Sequence, residues 1–244
     1  MRYVVVLCVA LSGCAPIYVQ MFNTSTAAES QSPEQWVFTQ DSVRVFYGFY
    51  AERGVMAFAV ENLRSTPVYV DWKRSSCVVN GARMNYWTDE VVTKSQAVTS
   101  SASISATDLD WYWIRTGTIS EEITSSSSVA QRPERIAFVP PHSFVQQVLQ
   151  HRLYRGDVPP FSKEVKTKSF TSDSSPLSFR NYLTVTFDES GAQSMNLDHA
   201  FWVSSIDQVR LYQFRGAVLE QGNGNHPTQF EYPLRSHKAF YVKP

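Results

Sequence analysis

Ser42-Val-Arg-Val-Phe-Tyr-Gly-Phe-Tyr50, the Glu52-Arg53-Gly54 break and Val55-Met-Ala-Phe-Ala-Val60 form the stretch that decides the fold class. Val43, Val45, Tyr47 and Phe49 alternate with Arg44, Phe46, Gly48 and Tyr50, so one face is uniformly apolar and the other mixed. Side chains that change sides at every residue mark a strand, because a helix returns to one face only after three or four residues. The glycine break joins the two runs as a hairpin. Asn62-Leu-Arg-Ser-Thr-Pro67 then interrupts the pattern, since a proline has no N–H to give to a ladder. Val68-Tyr-Val-Asp-Trp72 resumes it, with Val68, Val70 and Trp72 sharing a face. Within Ser76 to Trp87, the Asn80-Gly81 pair suits a two-residue hairpin turn whose central residues both need positive φ.

Working outward, strands are expected at 35–39, 134–139, 143–150, 179–187, 199–203, 208–214 and 239–242. Only Val91 to Val98 and Ser205 to Leu211 read as short helices. No long run repeats its apolar residues at i, i+3, i+4 and i+7. The class is all-β, a sandwich with Ser/Thr-rich loop insertions and few short helices. The loops are the tracts Thr93 to Thr107 and Thr116 to Ser128, which offer too little apolar surface to offset chain entropy.

The composition fits a globular chain: 43% of the 244 residues are hydrophobic and 14% aromatic. With 22 Lys+Arg against 22 Asp+Glu, there is no charge excess with which to attract a nucleic-acid backbone, so no nucleic-acid partner is expected. Arg2 is followed by the apolar run Tyr3 to Ala10, which is shorter than the roughly 20 residues a membrane-spanning helix needs. It reads as the core of a signal peptide.

Directly after it, Leu11-Ser12-Gly13-Cys14 resembles the lipobox of bacterial lipoproteins: an aliphatic residue, two small ones, and the cysteine that is acylated and becomes the new N-terminus. The resemblance implies that residues 1–13 are removed, that Cys14 is lipidated, and that the chain is held by its lipid in the cell envelope, at the outer membrane. Each buried methylene contributes about 0.8 kcal/mol, so two or three acyl chains anchor stably. Residues 14–35, polar and without apolar period around Asn23 to Glu34, read as the lipidated cysteine and a flexible tether. About 20 residues of such a tether hold a body some tens of ångströms from the bilayer. Residues 36–244 then form the sandwich domain. Of three cysteines, Cys77 alone remains free, which leaves no intramolecular disulfide and a thiol better read as buried and inert than as a nucleophile.

Val60-Glu-Asn62, Thr66-Pro-Val-Tyr-Val70-Asp-Trp72, Asn80-Gly81 and Ile136-Ala-Phe-Val-Pro-Pro141 together resemble immunoglobulin-like β-sandwich domains of uncharacterised lipoproteins in Bacteroidota, over residues 36 to 187. The resemblance implies a fold and a compartment, and no activity on named residues.

Motifs for chemistry are scarce. His142, His151, His199, His226 and His237 show no metal-ligand spacing, and neither a Gly-x-Ser-x-Gly elbow nor a phosphate loop is present. No metal and no cofactor are expected. Asp108 and Asp110 read as solvated loop charges, and Asp71 as a turn cap or local ion pair. The candidate binding residues are Trp111, Tyr112 and Trp113, an aromatic island between the Ser/Thr tracts that is either a core strand or an exposed platform. The function expected is a non-enzymatic lipoprotein that docks on another envelope protein as an accessory or structural subunit. The alternative is a carbohydrate-binding or degrading surface lipoprotein, for which the sequence shows no paired carboxylates.

The two readings of the island predict different behaviour of the Trp111→Ala, Trp113→Ala double variant. A core strand loses several kcal/mol, about 3–5 for each buried tryptophan. An exposed platform keeps its melting temperature and loses partner capture, and both quantities are read on the same preparation.

Overall fold

Alternation alone places Val43, Val45 and Tyr47 on one side of a strand, and in the computed structural model all three are fully buried. The structure describes residues 17–87, 134–161, 165–221 and 227–243. Their strands are β1 (Tyr18–Ser25), β2 (Trp36–Gln40), β3 (Val43–Gly48), β4 (Val55–Asn62), β5 (Val68–Val79), β6 (Ala82–Asn85) and β7 (Ile136–Val139). They continue with β8 (Phe144–Arg152), β9 (Thr167–Ser169), β10 (Ser178–Thr186), β11 (Ser194–Arg210), β12 (Val218–Gln221), β13 (Pro227–Phe230) and β14 (Ala239–Val242). One short helix, α1 (Leu211–Arg215), is present among the described residues.

The architecture is an all-β sandwich. A four-stranded antiparallel sheet, β2-β3-β4-β8, packs on an eight-stranded one whose path is β14-β1-β11-β10-β5-β6, with β7 pairing β5 and β9 pairing β11. The hairpins expected from sequence are present. β3 and β4 pair from Val43↔Asn62 to Gly48↔Ala57, and Asn80-Gly81 joins β5 to β6 with φ of 46° and 82°. The core between the sheets takes Phe38, Val45, Tyr47, Met56, Phe58 and Val60 from the smaller sheet. From the larger it takes Phe22, Val70, Leu183, Leu197, Phe201 and Phe240. Rings dominate it: Phe201 lies 5.0 Å from Tyr47, 5.1 Å from Phe49 and 5.4 Å from Phe179, within the 4.5–7 Å range of favourable ring pairs.

Two expectations need correction. Residues 14–35 are not a tether throughout, because Tyr18–Ser25 is β1, an interior strand of the large sheet. It pairs β11 on one side, from Tyr18↔Arg210 to Ser25↔Trp202, and β14 on the other, from Gln20↔Val242 to Asn23↔Ala239. Val19 and Met21 are buried on one face and Phe22 on the other, so the folded body already includes residues 18–25 and does not start at residue 36. Ser205 to Leu211 is not a helix either. β11 runs on unbroken to Arg210, and the helical turn starts at Leu211 and takes in the segment expected to end the 208–214 strand.

The chain passes between the two sheets at β1–β2, β4–β5, β7–β8 and β8–β9, and one buried side chain holds two of these passages. Asn62 ends β4 with no exposed surface. Its Oδ1 accepts from Arg64 N–H at 2.9 Å, and its Nδ2 donates to the carbonyls of Thr66 (2.9 Å), Val139 (3.1 Å) and Pro140 (3.1 Å). Its own amide donates to Ser143 O at 2.8 Å. The β4–β5 and β7–β8 crossovers are thus tied to a single carboxamide. A comparable device shapes β5 near its middle. Asp71 Oδ1 accepts from the amides of Lys73 and Arg74, and Ser75 Oγ bonds Asp71 O and accepts from Thr184 N–H, so a bulge replaces ladder bonds there. Asp71 is thus the turn cap read from sequence, while its ion pair, to Arg135 at 3.5 Å, is long-range rather than local.

Asn62→Ala leaves several buried backbone groups without partners, each costing about 1–3 kcal/mol. The expected loss is about 3–4 kcal/mol in denaturant unfolding, with Asn62→Asp also destabilising because a carboxylate cannot donate to three carbonyls.

Candidate functional site

Cys14 and the Trp111-Tyr112-Trp113 island lie outside the described residues, as do Asp108, Asp110 and the expected 91–98 helix. The structure brings together two other groups of residues, a polar chain inside the sandwich and an apolar groove at one end.

The polar chain starts beyond the Asn80-Gly81 turn. Tyr86 Oη donates to Asn181 Oδ1 at 2.7 Å, Asn181 Nδ2 donates to Tyr47 Oη at 3.1 Å, and Tyr47 Oη meets His199 Nδ1 at 2.8 Å. Tyr47 oxygen accepts from Asn181, its hydroxyl and His199 Nδ1 share the next bond, and the imidazole is uncharged at neutral pH. Phe38 stacks on this imidazole at 4.4 Å. Burial lowers the His199 pKa to about 4, and burial also lifts the Tyr47 and Tyr86 phenols above their usual value. Cys77, fully buried beside Tyr86, is pushed up to about 12 by desolvation and stays a thiol at neutral pH. The chain therefore cross-links β3, β10, β11 and the β6 end through uncharged groups, and its chemistry is that of a structural key with no activated nucleophile. The most displaced carboxylate, Asp188, is held near 2 by the Ser190 hydroxyl and by the Gln193, Ala192 and Gly191 amides, where it closes the β10–β11 turn.

The groove forms where β1 begins and β11 ends. Leu211 N–H donates to Ile17 O at 3.0 Å, which brings Ile17 alongside α1. Phe214 is the buried side of this helix, packed with Val19, Met21, Tyr50 and Tyr241 in a second core outside the sandwich. Gly216 ends the helix with φ 66°, its amide donating to Tyr212 O at 3.0 Å. A Cβ there would stand 2.6 Å from the Pro233 ring, so only glycine fits. The resulting depression, about 520 Å³, is lined by Ile17, Leu211, Tyr212 and Phe230, with Arg210 and Arg215 as its charged groups. Arg215 lies over Phe230 at 4.9 Å, and Tyr212 and Tyr18 hydrogen-bond Arg210. No local sequence signal marks this groove, because its walls come from residues 17, 210–216 and 230.

Among the described residues, no three His, Cys, Asp or Glu side chains converge as a metal site, and no helix is long and apolar enough to cross a membrane. Fold and groove define the class: an all-β sandwich with a polar key in its core and an apolar depression at the start of its first strand. Comparison with known protein families, with curated proteins and with solved structures finds no match to this chain.

Acid should unlock the polar key. Unfolded, the imidazole takes up a proton near 6.5, and folded near 4, so between these values the unfolded state binds more protons. Stability therefore falls as pH drops from 6.5 to 4, by roughly 2–3 kcal/mol, with no further contribution from this group below that. His199→Gln keeps a hydrogen-bond partner for Tyr47 but cannot titrate, and its unfolding curves should lose this part of the pH dependence.

Proposed function

We propose that this chain is a lipid-anchored lipoprotein of the bacterial cell envelope, most naturally of the outer membrane. In this reading it is a non-enzymatic accessory or structural subunit that binds another envelope protein, and its sandwich has the immunoglobulin-like arrangement of the Bacteroidota lipoproteins it resembles. The observation that carries the reading is Leu11-Ser12-Gly13-Cys14 directly behind a short apolar run with Arg2 before it. The small residues give a peptidase access to the bond before Cys14, and the thiol is the group that accepts diacylglycerol. The position of β1 agrees with this, since the interior strand begins at Tyr18, only four residues after Cys14 in sequence. The core is consistent with a binding role: its thiol is protonated and its histidine neutral and sequestered, which makes the polar chain a support for shape.

Cells expressing the chain and fed a labelled fatty acid should yield a labelled protein that partitions with membranes. Cys14→Ser should remain an uncleaved precursor without label. Absence of label on the unaltered protein, or label that survives the substitution, would overturn the anchor. For the binding role, the lipidated protein purified from detergent-solubilised envelopes should carry one envelope protein at fixed stoichiometry.

A further inference from the structure

The groove beside Ile17 lies where a lipid on Cys14 would place the bilayer. Only Ala15 and Pro16 separate Cys14 from Ile17, and a fully extended chain covers about 3.6 Å per residue, so Ile17 stands at most roughly 11 Å from the acylated residue. A long spacer would let the body stand clear of the lipid. Here β1 begins at once, and the body has no such freedom.

The side chains at this end suit an interface between water and hydrocarbon. Ile17 is 57% exposed and Tyr212 64%, and Val218, paired with the groove's Phe230, is exposed too, a concentration of large apolar surface on a water-facing end. The charged groups of the groove are guanidiniums, Arg210 and Arg215, and among the described residues its lining holds no carboxylate. Glu231, the residue after Phe230, turns its carboxylate to Ala217 N–H at 3.4 Å. Tyrosines with aliphatic neighbours and arginines above them are the composition of interfacial belts. The rings and aliphatic groups enter the headgroup boundary, and the guanidiniums pair with lipid phosphates.

We propose that this end of the sandwich, centred on Ile17, Tyr212 and Phe230 and flanked by Arg210 and Arg215, seats directly on the phospholipid surface that holds the Cys14 lipid. The proposal rests on the lipoprotein reading and adds an orientation to it. β11 runs away from the groove over 17 residues to the β10–β11 turn, so at about 3.3 Å per residue that turn projects on the order of 50 Å from the membrane. The lipid alone would leave the body free to tumble, whereas a seated end fixes which surfaces face outward.

The test uses the full lipidated protein in vesicles of phosphatidylethanolamine and phosphatidylglycerol. With Cys77 buried and Cys14 acylated, one introduced thiol takes a fluorophore selectively. Ile17→Cys and Tyr212→Cys report on the groove, and Glu189→Cys on the far turn. Nitroxide-bearing phospholipid should quench the first two and leave the third bright. If all three stay bright while the protein floats with the vesicles, the anchor stands and the seating is overturned. Failure to float, together with no acyl group on Cys14, would overturn the anchor and the seating with it. Shielding of the groove labels without lipid quenching, at the mass of a dimer, would seat a second copy there and overturn the proposal.

Discussion

Asn62 is the point on which the two sheets depend. Each sheet is a continuous ladder, but the chain must leave one and enter the other, and a crossover exposes backbone groups that have lost their ladder partners close to a dry core. One carboxamide collects the orphan carbonyls of Thr66, Val139 and Pro140 and the amide of Arg64, and does so with no exposed surface of its own. Because those groups belong to the β4–β5 and β7–β8 crossovers, the residue fixes the entry of β5 relative to the exit of β7, and therefore how the faces of the two sheets meet.

The same economy explains the interior polar chain. Buried polar groups are costly when unpaired and strengthen one another when every donor has an acceptor. From Tyr86 through Asn181 and Tyr47 to His199 the side chains bond one another in series, which ties four segments of the fold to one relative placement. The surrounding rings supply most of the buried area and could slide against one another at little cost. The hydrogen bonds select one packing among many that such an aromatic core would accept.

Strand existence was readable where the two-residue period ran undisturbed, as in β3, or where a turn joined an apolar run to such a strand, as in β4 and the β5–β6 hairpin. It failed where the period breaks. An extra residue in β11 at Ser204, opposite the Asn23–Thr24 step, allows both Val203 and Ile206 to be buried. That change of phase divided one long strand into two expected pieces and suggested a helix at 205–211. β1 was missed for a different reason. Four consecutive residues, Val19 to Phe22, are buried because the strand is covered on both faces, and its second half, Asn23-Thr-Ser, merges with the polar stretch that follows. The end groove was not legible at all, since Ile17, Arg215 and Phe230 meet only through tertiary pairing of β1 with β11. The lipobox was legible because its chemistry is local.

The pairing of β1 with β14 bears on how the chain acquires its structure. An interior strand drawn from the first residues of the body finds one neighbour only among the last, at Phe240 and Val242. Loops of such length make closure slow compared with local hairpins. The sheet around β1 therefore closes only once β14 is in place, and without β14 one edge of β1 would stand open, a strand edge prone to aggregation.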